Sequence, residues 1–217
     1  MNQDEFLKWC PRLWHVAPAG AWELIRERGL RTSEQLIQAA DLEDGDRARL
    51  LTEYRLTEAR FVVDGEPVVL RDQERLSARK DTAAILGDDL TLADWVSLLN
   101  RRVYLFCDRG PMETHLRKMS AVHGAQDVLV FSPMRLYDTY RSQLELADQS
   151  TVAVKRLTGE QKSRATFQPI TRFPNKRPKE ITVVGGVDDL SVVTRVTQIS
   201  ADGSEKVLHP QVASIPS

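Results

Sequence analysis

Apolar positions recur along the chain with two different periods, and the two periods divide the sequence into two halves. In the first half a helical period dominates: the apolar side chains of residues 21–25 form one stripe, Pro18 suits the first turn, and Gly29 is placed to end this helix in a left-handed cap. In the second half short apolar runs of strand length dominate. Further helices are predicted from Thr32 and over residues 44–60, 75–86, 91–100, 111–122 and 133–140. Strands are predicted over residues 12–16, 103–107, 127–131, 180–184 and 191–199.

Residues 61–70 predict a β-hairpin. Two β-rich runs flank Asp64 and Gly65, and an Asp-Gly pair favours a two-residue turn. Because the predicted helices lie mainly before the predicted strands in the sequence, the pattern indicates the α+β class. We expect one domain over residues 1–209, followed by a flexible tail at 210–217.

Composition and charge exclude several classes of protein. The chain has 217 residues, a formal net charge of −1 and two cysteines, Cys10 and Cys107, so neither a disulfide framework nor a strongly charged surface is expected. No secretory signal and no run of about 20 apolar residues is visible, which indicates a protein of the cytoplasm without a membrane anchor.

Several common catalytic and metal-binding motifs are absent from the sequence. There is no Walker A loop, no G-x-G-x-x-G, no G-x-S-x-G and no H-E-x-x-H. His115 and His123 are eight residues apart and have no third ligand at metal spacing, so no metal site is expected.

One early segment resembles the first motif of ADP-ribosyltransferases. Residues 13–17 read Leu-Trp-His-Val-Ala, and an apolar helix ending in Gly29-Leu30 follows. The motif occurs in the PARP-like, DarT-like and RNA 2′-phosphotransferase branches. The resemblance implies that His15 binds the adenosine-side ribose of NAD; the plain alternative is a histidine satisfied in the core.

Two later segments fit the same resemblance. Residues 102–106, Arg-Val-Tyr-Leu-Phe, resemble the second strand of the family, which implies that Tyr104, or else Phe106, stacks on nicotinamide. Residues 177–187 resemble the late strand that begins with the catalytic glutamate, which implies this role for Glu180. The structural alternative for residues 102–106 is an ordinary run of core residues, and that for Glu180 is a solvated strand end.

Taken over most of residues 10–195, the chain most resembles an uncharacterised bacterial family of this fold. The shared segments include Arg71-Asp72-Gln73, Asn100 to Tyr104, and Thr166-Phe167. The resemblance implies a split β-sheet core. It also makes Arg71 the first choice for the pyrophosphate of NAD, with Arg164, beside the cofactor-site candidate Thr166, as the alternative.

The function implied is cleavage of the nicotinamide–ribose bond of NAD and transfer of ADP-ribose to a macromolecule. The basic stretch 155–179, which contains one acid, Glu160, favours DNA or RNA as acceptor, although a solvated loop is the plain alternative. A bacterial toxin or phage-defence role would add an antitoxin as partner. The alternatives are a non-catalytic nucleotide- or partner-binding module, an RNA 2′-phosphotransferase-like enzyme, and an unrelated α+β structural protein.

Overall fold

Seven helices and ten strands form the described part of the chain. The computed structural model describes residues 1–73, 86–87, 89–148 and 161–209. The mixed α+β class is confirmed. The helices are α1 (Gln3–Trp9), α2 (Ala21–Arg28), α3 (Ser33–Ala39), α4 (Asp44–Thr52), α5 (Leu92–Asn100), α6 (Arg109–His123) and α7 (Pro133–Tyr140). The strands are β1 (Leu13–Pro18), β2 (Ala59–Val63), β3 (Glu66–Leu70), β4 (Arg102–Leu105), β5 (Gln126–Phe131), β6 (Leu144–Ala147), β7 (Gln168–Pro169), β8 (Glu180–Val184), β9 (Val193–Ile199) and β10 (Glu205–His209).

Two antiparallel four-stranded sheets meet along β1 and β4. Their strand orders are β1-β5-β9-β10 and β4-β8-β6-β7. The bridge between them within the described residues joins Trp14 and Phe106, whose backbones exchange hydrogen bonds of 3.0 and 2.8 Å. No further ladder pairs β1 with β4 in this part of the chain. The two sheets are therefore joined at one end of these strands and part at the other.

The main core lies on one face of both sheets, under α1 and α7. Leu13, Leu129, Ile181 and Val183 belong to one buried cluster and have no exposed surface. Burial of each such aliphatic side chain contributes about 1.5–3 kcal/mol. This shared core fixes β1 against the second sheet, although the two strands exchange few hydrogen bonds.

The Gly-Leu pair after α2 is explained by a close backbone crossing. Leu30 and Val187 exchange backbone hydrogen bonds of 2.8 and 2.9 Å. A Cβ at Gly29 would lie 2.8 Å from the Val187 carbonyl oxygen, and one at Gly186 2.8 Å from that of Leu30. Gly29 has the expected positive φ of 79°, but its ψ of 168° is not that of a left-handed helical cap.

The predicted hairpin is confirmed as β2 and β3. Asp64 and Gly65 form its turn, with φ of 52° and 88°, as a two-residue turn of this type requires. Asp64 also forms an ion pair with Arg28 of α2. The hairpin is thereby held beside the helix that follows β1.

Several predicted element boundaries are wrong. Pro18 ends β1 and does not open α2, and the helix predicted over 44–60 ends at Thr52. It ends there because the Arg55 backbone pairs with Gln73: its N–H donates to Gln73 Oε1, and its carbonyl accepts from the Gln73 N–H. Helix α1 and strand β10 were not predicted. The helix predicted over 75–86 lies almost wholly outside the described residues, as does the tail 210–217.

Candidate functional site

A cavity of about 540 Å³ opens where β1 and β4 part. Its walls come from the end of β1, one side of α2, the hairpin β2–β3, the end of α5 and the start of β4. The volume lies within the range of small-molecule sites, roughly 300–1,000 Å³. The parting of the two sheets therefore creates a site large enough for a nucleotide.

His15 lies in the gap between the two strands. Its Nδ1 is 2.9 Å from the Tyr104 carbonyl oxygen, and the residue lines the cavity. Burial lowers the pKa of His15, while the hydrogen bond to Tyr104 opposes this shift in part. The ring is therefore neutral near pH 7. Because a carbonyl can only accept, Nδ1 carries the proton and Nε2 is left as an acceptor.

Tyr104 lies beside His15 in the cavity wall. Its backbone carbonyl holds the histidine ring, and its phenol oxygen is 3.4 Å from the Leu99 carbonyl oxygen of α5. The ring lies 6.4 Å from that of Phe167, in an edge-to-face arrangement. The structure thus brings together two of the residues that the sequence predicted for one site.

The cavity wall is rich in charge of both signs. Two of its arginines are paired with carboxylates: Arg28 with Asp64, and Arg102 with Glu145 through contacts of 2.5 and 3.0 Å. The arginines in the wall are Arg28, Arg31, Arg55 and Arg102, and the acids are Glu23, Glu66 and Asp72.

Two other arginines in the wall have no carboxylate partner among the described residues. The Nε of half-exposed Arg31 lies 3.3 Å from the carbonyl oxygen of Arg28. Arg55, in contrast, is only 9% exposed and bonds to neutral oxygens. These two cations are the groups in the cavity best placed to meet an anionic ligand.

Glu180 begins β8, the strand that pairs with β4. The register sets Ile181 opposite Leu105, so Glu180 is level with Phe106, near the bridge to β1. It is half-buried and engaged in a contact, but it is not one of the residues lining the cavity. His15, Tyr104 and Glu180 thus lie on three successive strands, and the cavity reaches the first two.

Arg71 and Thr166 also lie outside the cavity wall. Arg71 donates to Glu58 and, at 3.1 Å, to Gln126 Oε1. Buried Thr166 accepts at Oγ1 from the Ser163 N–H at 2.9 Å and so closes a short 3₁₀ turn. Arg71 is thus engaged with two other side chains and Thr166 with its own turn, and the assignment of both to NAD stays a prediction.

Three of the six basic residues in the described part of the basic stretch, residues 161–179, are ion-paired. Arg164 contacts Asp94, Lys176 contacts Asp148 and Arg177 contacts Asp108. The stretch keeps exposed positive charge at Arg172 and Lys179. Its net field is therefore weaker than the sequence suggested.

Among the described residues, no group of three or more histidine, cysteine, aspartate or glutamate side chains is arranged to hold a metal ion. Within the same ranges, no helix has the length and apolar character needed to cross a bilayer.

No role was assigned from the sequence to several polar residues of the cavity wall, among them Arg31, Arg55 and Asn100. Asn100 opens the Asn-x-Arg-Val-Tyr segment of the resemblance, and Arg31 directly follows its Gly-Leu pair, but the resemblance gave neither residue a role. Arg55 was placed in a charged helix. Nothing in the sequence around it marks it as a site residue.

The model of a family of unknown function, DUF7002, matches the chain over residues 11–201. No curated protein matches the chain.

Proposed function

The chain belongs to the DUF7002 family, whose function is unknown, and from the cavity we propose that it is an NAD-dependent ADP-ribosyltransferase. The observation that carries this proposal is the His15 ring in the gap between the two sheets, held by the Tyr104 carbonyl at the wall of a nucleotide-sized cavity. We also propose that the two sheets form a split ADP-ribosyltransferase-like core, which their single described bridge supports.

The electronic state of His15 suits a ribose. Its unprotonated Nε2 can accept a hydrogen bond from a hydroxyl group, whereas a protonated ring could not. Tyr104, in the same wall, offers an aromatic face for nicotinamide. Arginines in the same wall can meet the pyrophosphate. The cavity wall thus offers groups for the adenosine-side ribose, the nicotinamide and the pyrophosphate of NAD.

Glu180 supplies the carboxylate in this proposal. When the glycosidic bond breaks, nicotinamide leaves with the bonding electron pair and positive charge builds on the ribose carbon. A carboxylate near that carbon stabilises the charge. The acceptor then forms the new bond through oxygen or nitrogen and loses a proton. Support for Glu180 comes from the strand order β1-β4-β8, which sets its strand beside that of Tyr104.

The proposal is tested by nicotinamide release from NAD, measured with and without DNA or RNA. Glu180→Gln should abolish release while leaving the urea midpoint within experimental error of wild type. The matched control is Glu113→Gln, which removes an exposed carboxylate paired with Arg109 and should release nicotinamide at the wild-type rate. Full activity in Glu180→Gln would overturn the assignment of Glu180.

The acceptor proposed is a nucleic acid that approaches along residues 161–179. Support is limited to the exposed Arg172 and Lys179, because three neighbouring cations are ion-paired. Labelled NAD should therefore modify DNA or RNA in a lysate, and less so as salt is raised. Modification of protein alone would contradict this part.

A second candidate function is favoured by the position of Glu180. The cavity wall contains Glu23, Glu66 and Asp72 but not Glu180, so the site could bind a nucleotide without cleaving it. The same assay separates the two functions. A binding module would take up NAD, detected by calorimetry, and release no nicotinamide with any acceptor.

A further inference from the structure

Arg55 is a buried cation in the cavity wall, and no carboxylate of the described residues is bound to it. Its Nε donates to the Arg71 carbonyl at 3.0 Å and its Nη1 to Asn100 Oδ1 at 3.1 Å. Its Nη2 makes no hydrogen bond with any described residue, and no described carboxylate oxygen lies within 4.0 Å of the guanidinium. Asp72, which also lines the cavity, is the acid that acts on it from farther away.

This arrangement is unusual because a buried charge is costly unless it is paired. Two other arginines of the chain have partners that compensate their charge. Arg102 has Glu145, and Arg47, which lies outside the cavity, donates to four backbone carbonyls. Arg31 is half-exposed, so water can solvate it. Arg55 alone among these four combines deep burial, a place in the cavity wall and an unused nitrogen.

The guanidinium is also held rigidly. Asn100 uses its amide nitrogen to donate to the carbonyls of Leu50 and Leu51 at 3.1 and 3.3 Å, so its oxygen must face Arg55. Burial lowers the pKa of Arg55 to about 10, which leaves it cationic at neutral pH. A fixed cation that faces a cavity is suited to bind an anion without reorganisation.

We propose that Arg55 binds a phosphate group of the ligand through Nη2. A phosphate is favoured over a single carboxylate because Arg31, the other cavity arginine without a carboxylate partner among the described residues, adds a second positive charge to the same wall. The anion is inferred from Arg55 itself; that it belongs to a nucleotide rests on the proposed function. Arg55 would then take the role that the sequence suggested for its neighbour Arg71.

The test is thermal denaturation and calorimetry with inorganic pyrophosphate, ADP-ribose, NAD and adenosine at constant ionic strength. Pyrophosphate, ADP-ribose and NAD should raise the melting temperature of the wild type. Arg55→Met should weaken ADP-ribose binding by about tenfold to a hundredfold, the loss expected for a charge-assisted hydrogen bond. Arg55→Lys, which keeps the positive charge but not the planar set of guanidinium N–H donors, should bind ADP-ribose with intermediate affinity.

Arg47→Met is the matched control, since it removes an arginine with several backbone hydrogen bonds from outside the cavity. It should lower the melting temperature but leave the dissociation constant for ADP-ribose unchanged. Equal affinity of wild type and Arg55→Met for ADP-ribose would overturn the inference. The absence of any change in the melting temperature of the wild type with pyrophosphate would also overturn it, and that measurement does not depend on the folding of a variant.

The two proposals fail in different ways. Binding of pyrophosphate that depends on Arg55, without any binding or cleavage of NAD, would support the phosphate site and overturn the NAD function. Nicotinamide release and NAD affinity that are unchanged in Arg55→Met would support the NAD function and overturn the phosphate site.

Discussion

Replacement of Glu145 by glutamine should destabilise the protein by leaving a buried cation without its counter-charge. Arg102 donates to Glu145 Oε2 from two nitrogens and to the Leu98 carbonyl from the third, and its guanidinium lies 4.2 Å from the centre of the Phe167 ring. Its side chain is 8% exposed and that of Glu145 21%. Water therefore cannot replace the carboxylate fully.

The expected cost follows from this burial. Removal of one partner of a buried pair costs about 3–5 kcal/mol. The partial exposure of Glu145, and the acceptor that glutamine keeps, reduce the value to about 2–3 kcal/mol. For a chain of this length that corresponds to a fall in Tm of roughly 5–10 °C.

Urea denaturation followed by tryptophan fluorescence measures the effect, and an unchanged m-value would show that the unfolded state is the same. The double variant Arg102→Met/Glu145→Met, which removes both charges, should lie within about 1 kcal/mol of wild type. If Glu145→Gln alone lay within about 0.5 kcal/mol of wild type, the pair would not carry the stability assigned to it.

Two further predictions concern His15 and the backbone crossing between Leu30 and Val187. Because burial lowers the pKa of His15, the unfolded chain binds a proton on acidification that the folded chain does not, so the contribution of neutral His15 to stability is complete above roughly pH 6.5 and is lost as the pH falls below it. In His15→Gln the urea midpoint should therefore fall less steeply between about pH 7 and 5 than in the wild type. An unchanged slope would contradict the lowered pKa of His15. Gly186→Ala should lower the free energy of unfolding by about 2–4 kcal/mol, since its Cβ would lie 2.8 Å from the Leu30 carbonyl oxygen at a φ of 91°. Gly65→Ala, with open space around the added Cβ, should lower it by only about 1 kcal/mol. Equal losses for the two variants in chemical denaturation would contradict the close crossing.

The sequence predicted those elements whose signal is local. Asp64-Gly65 marked the hairpin, Thr91 marked the start of α5, and the apolar run from Glu180 to Val184 marked β8. In each case a turn, a cap or a buried run is specified by neighbouring residues. Such signals also indicated the α+β class.

Elements and sites that depend on distant contacts could not be predicted in this way. Helix α4 ends at Thr52 because the next segment pairs with Gln73, eighteen residues beyond Arg55. His15 could be proposed for a site, but only the parting of β1 from β4 shows why its ring lies in a gap. Arg55 became a candidate only once its burial was known, since nothing in its sequence neighbourhood distinguishes it from a solvated arginine.

The central claim, that the cavity walled by His15 and Tyr104 binds NAD, is tested most directly by calorimetric titration of the protein with NAD. We predict one site per chain and an affinity about tenfold weaker in His15→Ala, the loss of one well-placed hydrogen bond in a buried site. His209→Ala is the control, because the His209 ring packs against Trp22 in a tilted arrangement and does not line the cavity; this variant should bind NAD as the wild type does. Absence of binding by NAD and ADP-ribose, or equal affinity in His15→Ala, would contradict the account.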